Sequence, residues 1–292
     1  MKILLAADCS HGSEELVAEV LEQAWPKKAH FDVLHVSEPV HAWTQALPAD
    51  ALNAKAHQAV TDAVFSLSSR GWSCERYFRE GDAKKEILNF SEEYHPDLIL
   101  VGARRLSNAS RFLMGSVSAA VVRHAKCSVQ IVRARPHDFR AARTYRVLVA
   151  TDGSDHALKA MEAVAARPWK PGTEIRVVSV VELILPPTLT MLEPGDFGFP
   201  PNIGNFNEAK KEAHGHVTRA VQILSRVCSH ISEAMPVVSS GAKNAILEEA
   251  ERWDADCVFV GSHGLRGLDR FLLGSVSEAV ATHAKCSVEV VR

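Results

Sequence analysis

RFLLGSVSEAVATHAKCSVEVVR, residues 270–292, closely repeats RFLMGSVSAAVVRHAKCSVQIVR at residues 111–133. The two lie about 159 residues apart, and a match of this length marks an internal duplication. Earlier in each copy, KILLAADCS (2–10) aligns with RVLVATDGS (146–154), but there the spacing is about 144. The second copy must therefore carry an insertion of about 15 residues. Its site is LILPPTLTMLEPGDFGFPPNIGNFN (183–207), dense in the Pro, Gly and Asn that break helix and strand. A loop of that length inside a compact domain serves either as a lid or interface element or as passive surface. The charged, aperiodic ARPHDFRAART (134–144) reads as a linker. The expected organisation is one domain over 1–134, a linker over 135–144 and a second domain over 145–292.

Within the first copy, short apolar runs predict strands at Ile3–Ala7, Phe31–Val36, Cys74–Phe78, Leu98–Val101 and Val129–Arg133. Their nearly continuous apolar character suits parallel strands covered on both faces. Between them, SEELVAEVLEQAW sets Leu16, Val17, Val20, Leu21 and Ala24 on one helical face, and DAKKEILNFSEEY does so with Ile87, Leu88 and Phe90. Alternating strands and helices with right-handed crossovers predict an α/β fold: two tandem, doubly wound, five-stranded parallel-sheet domains of flavodoxin or Rossmann type. The 292-residue length and 47% hydrophobic content allow each half its own core.

Composition narrows the partners. Acidic and basic residues nearly cancel, for a formal charge of −2, which offers nucleic acid no basic patch. No apolar run approaches the ~20 residues of a membrane helix, so no membrane association is expected. MKILLAADCS meets Asp8 too early for a signal peptide and reads as a first strand. Cys9, Cys74, Cys127, Cys228, Cys257 and Cys286 form no CxxC pair, arguing against a thiolate metal site. They are expected to be reduced core thiols, which favours the cytoplasm.

In an open parallel sheet, ligands bind beyond the carboxyl ends of the strands, where strand order reverses. If the first and fourth strands flank that point, two loops meet there. One is ATDGS (150–154), or AADCS (6–10) in the first copy; the other is VGSHGLRGLDRFLLGSV (260–276), or VGARRLSNASRFLMGSV (101–117). Gly261 and Gly264 permit a sharp turn and close ligand approach. After a nine-residue span, Gly274-Ser275 opens a helix whose N-terminal N–H groups and dipole attract an anion, with the Ser275 hydroxyl as a further donor. Turn and cap chemistry explain the same glycines and serine without a ligand. Asp152 and Asp8 either cap the following helix or bond a ribose or base, or assist Mg²⁺ near phosphate oxygens.

These residues resemble the universal stress protein family. The resemblance rests on Gly261, Gly264, Gly274 and Ser275 at the spacing glycine, two residues, glycine, nine residues, Gly-Ser. It extends to the first-strand Asp, to Val180 and Val36, and to the closing HAKCSVEVVR. It spans nearly the whole chain twice, as in a tandem member. What the resemblance implies is a stress-response regulatory protein that binds ATP, or ADP or AMP, with Mg²⁺ allowed beside Asp152. The adenine would lie near Ala150, Thr151, Asp152 and Val180, and Val260, Gly261, Gly264, Gly274, Ser275 and Val276 would cradle the phosphates. It also implies pairing of the final strands, Val129–Arg133 with Val288–Arg292, as an intramolecular pseudo-dimer; a further homodimer and an unidentified protein partner stay open. His263 has no fixed role in the family and reads as a surface loop histidine.

The first copy keeps a degenerate set: Ala7, Asp8, Val36, Gly102, Gly115, Ser116 and Val117, with Arg105 where the second has Gly264. If the position needs a left-handed backbone, a side chain costs about 1–2 kcal/mol, and it fills the phosphate space. The expectation is loss of nucleotide there, against a counter-reading in which Arg104, Arg105 and Arg111 grip phosphate. Both copies have Cys-Ser (127–128, 286–287) where relatives often have Cys-Pro, leaving the start of the last strand less constrained. Two alternatives to a nucleotide switch remain. ATDGSDHAL lacks the phosphate loop of an ATP pyrophosphatase or nucleotidyltransferase, so an enzyme is disfavoured beyond slow ATP hydrolysis. A nucleotide-free scaffold suits the first copy better than the second.

Overall fold

A computed structural model describes residues 1–8, 13–38, 49–103, 114–133, 144–182, 203–228, 230–233, 237–239, 241–265 and 273–292. In the first repeat the order is β1 (Lys2–Ala6), α1 (Ser13–Glu22), β2 (His30–Ser37), α2 (Ala49–Ser68), β3 (Ser73–Glu80), α3 (Ala83–Tyr94), β4 (Leu98–Gly102), α4 (Ser116–His124) and β5 (Ser128–Val132). The second repeat runs β6 (Arg146–Ala150), α5 (Asp155–Ala165), β7 (Glu174–Val178), β8 (Val180–Glu182), α6 (Ile203–Leu224), β9 (Ile231–Glu233), β10 (Val237–Ser239), α7 (Ala242–Arg252), β11 (Cys257–Gly261), α8 (Ser275–His283) and β12 (Ser287–Val291).

The main sheet has ten strands in the order β3-β2-β1-β4-β5-β12-β11-β6-β7-β9. Each half is thus a doubly wound sheet of order 3-2-1-4-5, and chain order reverses between β1 and β4 and between β6 and β11. Every pairing in this sheet is parallel except β5 with β12, which is antiparallel and pairs Val129, Gln130 and Ile131 with Val290, Glu289 and Val288. The two repeats are therefore related by a pseudo-two-fold axis through this junction, and the carboxyl ends of their strands point in opposite directions.

Alternation of strands and helices is realised as expected, with β1, β2, β4 and β5 buried, but β3 is an edge strand largely exposed to solvent and not covered on both faces. The predicted α1 face is the buried one, with Leu16, Val17, Val20 and Ala24 inaccessible. Ile87 and Phe90 do the same for α3, which Asp82 caps by accepting from Lys85 N at 3.0 Å. One apolar cluster fills the space under α3, α4, α7 and α8 and runs across both repeats. On the opposite face two separate clusters lie under α1 and α2 and under α5 and α6.

Two departures concern the second repeat. Its second strand breaks at Ser179, so that Val180–Glu182 leaves the main sheet and pairs with Val237–Ser239 as a separate two-stranded sheet. The expected 183–207 loop is shorter at its end, because α6 already begins at Ile203; 183–202 lie outside the described residues, as does the linker up to residue 143.

The junction is tied by polar groups that apolar periodicity does not announce. Arg133 donates to Ala281 O (2.6 Å) and Cys286 O (3.2 Å), and Arg292 donates to Val122 O (2.6 Å) and Cys127 O (3.4 Å). Each guanidinium thus crosses the axis to the last turn of the other repeat's final helix, where carbonyls are unpaired and the dipole is negative. Ser287 and Ser128, which open the two final strands, have a place in the same clasp. Ser287 Oγ accepts from Arg133 N at 3.0 Å and Ser128 Oγ from Arg292 N at 3.2 Å. Beside the axis, Gln130 Nε2 donates to Gln23 Oε1 at 2.9 Å, while the equivalent positions of the second repeat hold a fully buried ion pair, Arg167 with Glu289. Burial pushes the Glu289 carboxyl up, and Arg167 opposes that. The Arg167 guanidinium also lies over Trp25 at 4.5 Å and Phe259 at 5.0 Å.

The cysteines are less uniformly interior than expected. Cys257 and Cys286 are buried, Cys74, Cys127 and Cys228 half-buried, and all five are free thiols; Cys9 lies outside the described residues. Burial raises the Cys127 thiol to about 11, so it is no ready nucleophile. Among the described residues, no helix is long and apolar enough to cross a membrane.

Candidate functional site

At the switch point of the second repeat the loops after β6 and β11 are joined by one carboxylate. Asp152 Oδ1 accepts from Ser154 N at 3.0 Å, and its Oδ2 accepts from Leu265 N at 2.9 Å across the gap. Ser154 caps α5 by accepting from Ala157 N at 3.2 Å, and its hydroxyl donates to His263 O at 3.4 Å. Asp152 therefore does not cap α5. It ties two loops, a geometry that neither of the roles expected for it requires. Thr151, buried, anchors the same turn through Thr151 N to Val178 O at 2.9 Å and Gly153 N to its own Oγ1 at 3.2 Å.

Two of the glycines meet steric constraints that their spacing does not announce. A Cβ on Gly261 would stand 2.5 Å from His156 C and 2.7 Å from Ala157 N. Gly261 thus lets the first turn of α5 pack on the end of β11. At Gly264 the backbone is not left-handed; a Cβ would instead meet Asp152 Oδ2 at 2.6 Å. The constraint is steric and concerns the tie itself. The left-handed residue is Gly153, at φ 80°, whose Cβ would strike the His216 ring of α6 at 2.3 Å.

Gly274 is the N-cap of α8, with φ −63°, ψ 143° and, among the described residues, no side-chain cap hydrogen bond. Its N–H bonds Ser262 O at 2.8 Å, and Ser277 Oγ donates to Gly261 O at 2.6 Å, fixing the helix start on the end of β11. The first-turn N–H groups, including those of Ser275 and Val276, carry the positive end of the dipole, and the one acid of that turn, Glu278, is paired with Arg123. Ala150 and Val260 are buried at the ends of β6 and β11, and Val180, half-buried, starts β8 beside them.

His263 is not a plain surface residue. Its Nδ1 lies 3.1 Å from Ser262 Oγ, which also lies 3.3 Å from His156 Nδ1, and the two rings are 5.0 Å apart. His263 Nε2 is buried without a hydrogen-bond partner among the described residues. Burial, then the nearby His263, then Lys159 hold the His156 imidazole below its ordinary value. The sequence signal for this pair was weak, because the two histidines lie 107 positions apart.

The first repeat reproduces the scaffold. Gly115 is an N-cap without a side-chain bond, Ser118 Oγ donates to Gly102 O at 2.7 Å, and Ser116 and Val117 open α4. Ala7 is buried and its carbonyl meets His35 Nδ1 at 2.9 Å; Asp8 is exposed and Val36 lies in an unbroken β2. A Cβ on Gly102 would meet nothing closer than Leu16 Cδ2 at 3.8 Å. Arg104, Arg105 and Arg111 lie outside the described residues.

The profile of the universal stress protein family matches residues 1–133 and 144–292. A universal stress protein of Mycolicibacterium smegmatis is 28% identical over 99% of this chain and 96% of its own. Universal stress protein A homolog 2 of Coxiella burnetii is 48% identical over 29% of this chain and 52% of its own. The crystal structure of a universal stress protein from Archaeoglobus fulgidus superposes with a TM-score of 0.63 at 22% identity, covering 100% of this chain and 96% of that one.

Proposed function

This chain belongs to the universal stress protein family, and from that premise we propose that its second repeat binds an adenine nucleotide, ATP first, as a regulatory switch. The observation that carries the reading is the open start of α8. Gly274 leaves the first-turn donors without a side-chain cap among the described residues, and its own N–H bonds Ser262 O, at the β11 end of the loop pair that Asp152 ties together. Phosphates satisfy such donors, whereas a neutral ligand leaves them unused. Gly264, Ser275 and Val276 would face the phosphates; Ala150, Thr151, Asp152 and Val180 the adenosine. Mg²⁺, if it accompanies the nucleotide, would sit between its phosphates and Asp152, with the carboxylate giving up one of its backbone partners.

The first repeat has the same uncapped helix start but carries Arg105 where the second has Gly264, at which even an added Cβ would meet Asp152. We assign it no nucleotide. Nucleotide released from purified, denatured protein, identified by mass spectrometry and quantified, is expected at one adenine nucleotide per chain. Two per chain would overturn the one-site reading, and none, together with no binding by calorimetry, would overturn the nucleotide reading. Steady-state hydrolysis faster than about 1 s⁻¹ would mark an enzyme instead of a switch.

A further inference from the structure

The opposite end of the first repeat's sheet carries a cluster that the nucleotide reading leaves unused. His30 and Asp32 project from one face of β2, and Glu75 from the paired edge strand β3, where it is the register partner of Asp32. His30 Nε2 lies 3.0 Å from Asp32 Oδ1, and one ligand atom from each of the three residues lies within 4.8 Å of the others. We propose that His30, Asp32 and Glu75 form a binding site for a divalent transition-metal ion, zinc by preference.

Three observations support the assignment. The Asp32 side chain is 0% exposed, yet among the described residues its Oδ2 has no hydrogen-bond partner and is paired with the Lys2 ammonium at 3.4 Å. A buried carboxylate so placed seeks a cation. The outer groups are also arranged as metal ligands need them: Ser73 Oγ lies 2.8 Å from His30 Nδ1, which directs Nε2 toward Asp32, and Tyr77 donates to Glu75 Oε2 at 2.5 Å. Such partners orient a ligating imidazole and carboxylate.

The twin repeat supplies the third. Where β1 and β2 pair Lys2 with His30, β6 and β7 pair Arg146 with Glu174; where β2 and β3 pair Asp32 with Glu75, β7 and β9 pair Arg176 with Ser232. Arg176 therefore sits where Asp32 does, donating to Ser232 Oγ at 3.1 Å and to Glu249 at 2.8 Å. The second repeat builds a covalently attached cation into this place and neutralises it. The first has two carboxylates and an imidazole beside one lysine, and a divalent ion matches the charge of the two carboxylates once Lys2 withdraws from Asp32.

One imidazole and two carboxylates suit zinc, whose bonds to such ligands are about 2.0–2.2 Å. Ligand atoms on one ion are then about 4 Å apart or less, so the exposed Glu75 must close by under about 1 Å. Three protein ligands leave a fourth position for water, and the bound ion would staple edge strand β3 to β2. Lys2 competes with the metal for Asp32.

The test is titration of the full-length, chelator-stripped protein with zinc ion alone, by calorimetry, in the parent and in His30→Gln, Glu75→Gln and Lys2→Met variants. Thermal unfolding in chelator checks that each variant folds. The expected result is one zinc equivalent that weakens at least tenfold in His30→Gln and Glu75→Gln and tightens in Lys2→Met. Zinc should raise the unfolding midpoint of the parent and not that of His30→Gln. A parent that binds no zinc overturns the proposal, as does a zinc equivalent that survives His30→Gln or Glu75→Gln, or one that Lys2→Met leaves no tighter.

Discussion

An alanine at position 264 would place its Cβ 2.6 Å from Asp152 Oδ2, where ordinary contact begins near 3.4 Å. The backbone there is not left-handed, so alanine meets no torsional penalty and its whole effect falls on the carboxylate. Asp152 must retreat by about 1 Å, and the oxygen that retreats is the one accepting from Leu265 N at 2.9 Å. Losing a hydrogen bond to a charged acceptor costs about 1.5–3 kcal/mol. If nucleotide requires the two loops tied, affinity falls by roughly 10- to 100-fold. The assay is calorimetric titration with ATP of the parent, Gly264→Ala, Asp152→Ala and the double variant. Because Gly264 acts through Asp152, the double variant should bind no more weakly than Asp152→Ala alone, a coupling of the kind contacting residues show. Parent-like affinity in Gly264→Ala would refute the steric argument. Additive losses would refute the route through Asp152, and with it the reason given for the first repeat's loss at Arg105.

Glu289→Gln strands the buried Arg167 charge and is expected to destabilise the fold by about 3–5 kcal/mol, read from urea unfolding. Arg167→Gln with Glu289→Gln, which copies the Gln23–Gln130 pair, should restore most of that. Arg133→Met should cost about 1.5–3 kcal/mol in the same assay, and more than Arg292→Met, because the Arg133 side chain is the more deeply enclosed. His156 is held below its ordinary 6.5 by burial and His263, so the unfolded chain takes up that proton first. Its contribution is complete above about pH 6.5 and is lost as pH falls toward the folded value; His156→Asn should flatten the acid limb of the stability curve. Bound phosphate favours the protonated ring, so the heat of ATP binding near pH 6 should vary with buffer ionisation enthalpy, and a buffer-independent heat would count against it.

The parts of this fold legible in the sequence are those governed by periodicity and repetition. Four strands of the first repeat, β1, β2, β4 and β5, announce themselves as apolar runs, whereas the edge strand β3, SCERYFRE, is polar and largely exposed; the recurrence of the last 23 residues fixes the duplication. The broken second strand of the other repeat does not, since VVSVVE reads as one continuous run and only pairing with residues 237–239 draws its end away. Candidate positions Gly261, Gly264, Gly274 and Ser275 were legible by spacing, but the reasons for the glycines were not. Steric contact with His156 and Asp152 depends on how α5 and the neighbouring loop lie, which no local pattern encodes. The His30, Asp32 and Glu75 cluster left one trace, an acid inside the otherwise apolar HFDVLHVS. Its third member, 43 positions further on, is brought near only by strand register.

The junction between repeats has a consequence for how the two halves diverge. In a dimer of identical chains, any residue beside the two-fold axis meets its own copy, so Arg167 would require a second Arg167 and Glu289 a second Glu289 across the same few ångströms. Joining the halves in one chain removes that requirement, and it also makes their association intramolecular, independent of protein concentration. One side of the axis holds a neutral amide pair and the other an ion pair, an arrangement that no self-matching interface permits. Once the pairing surface is free to be heterologous, the opposite ends of the sheet are free as well. The stretches 101–117 and 260–276 differ at eight of their seventeen positions, Arg105 against Gly264 among them, with neither version copied into its neighbour.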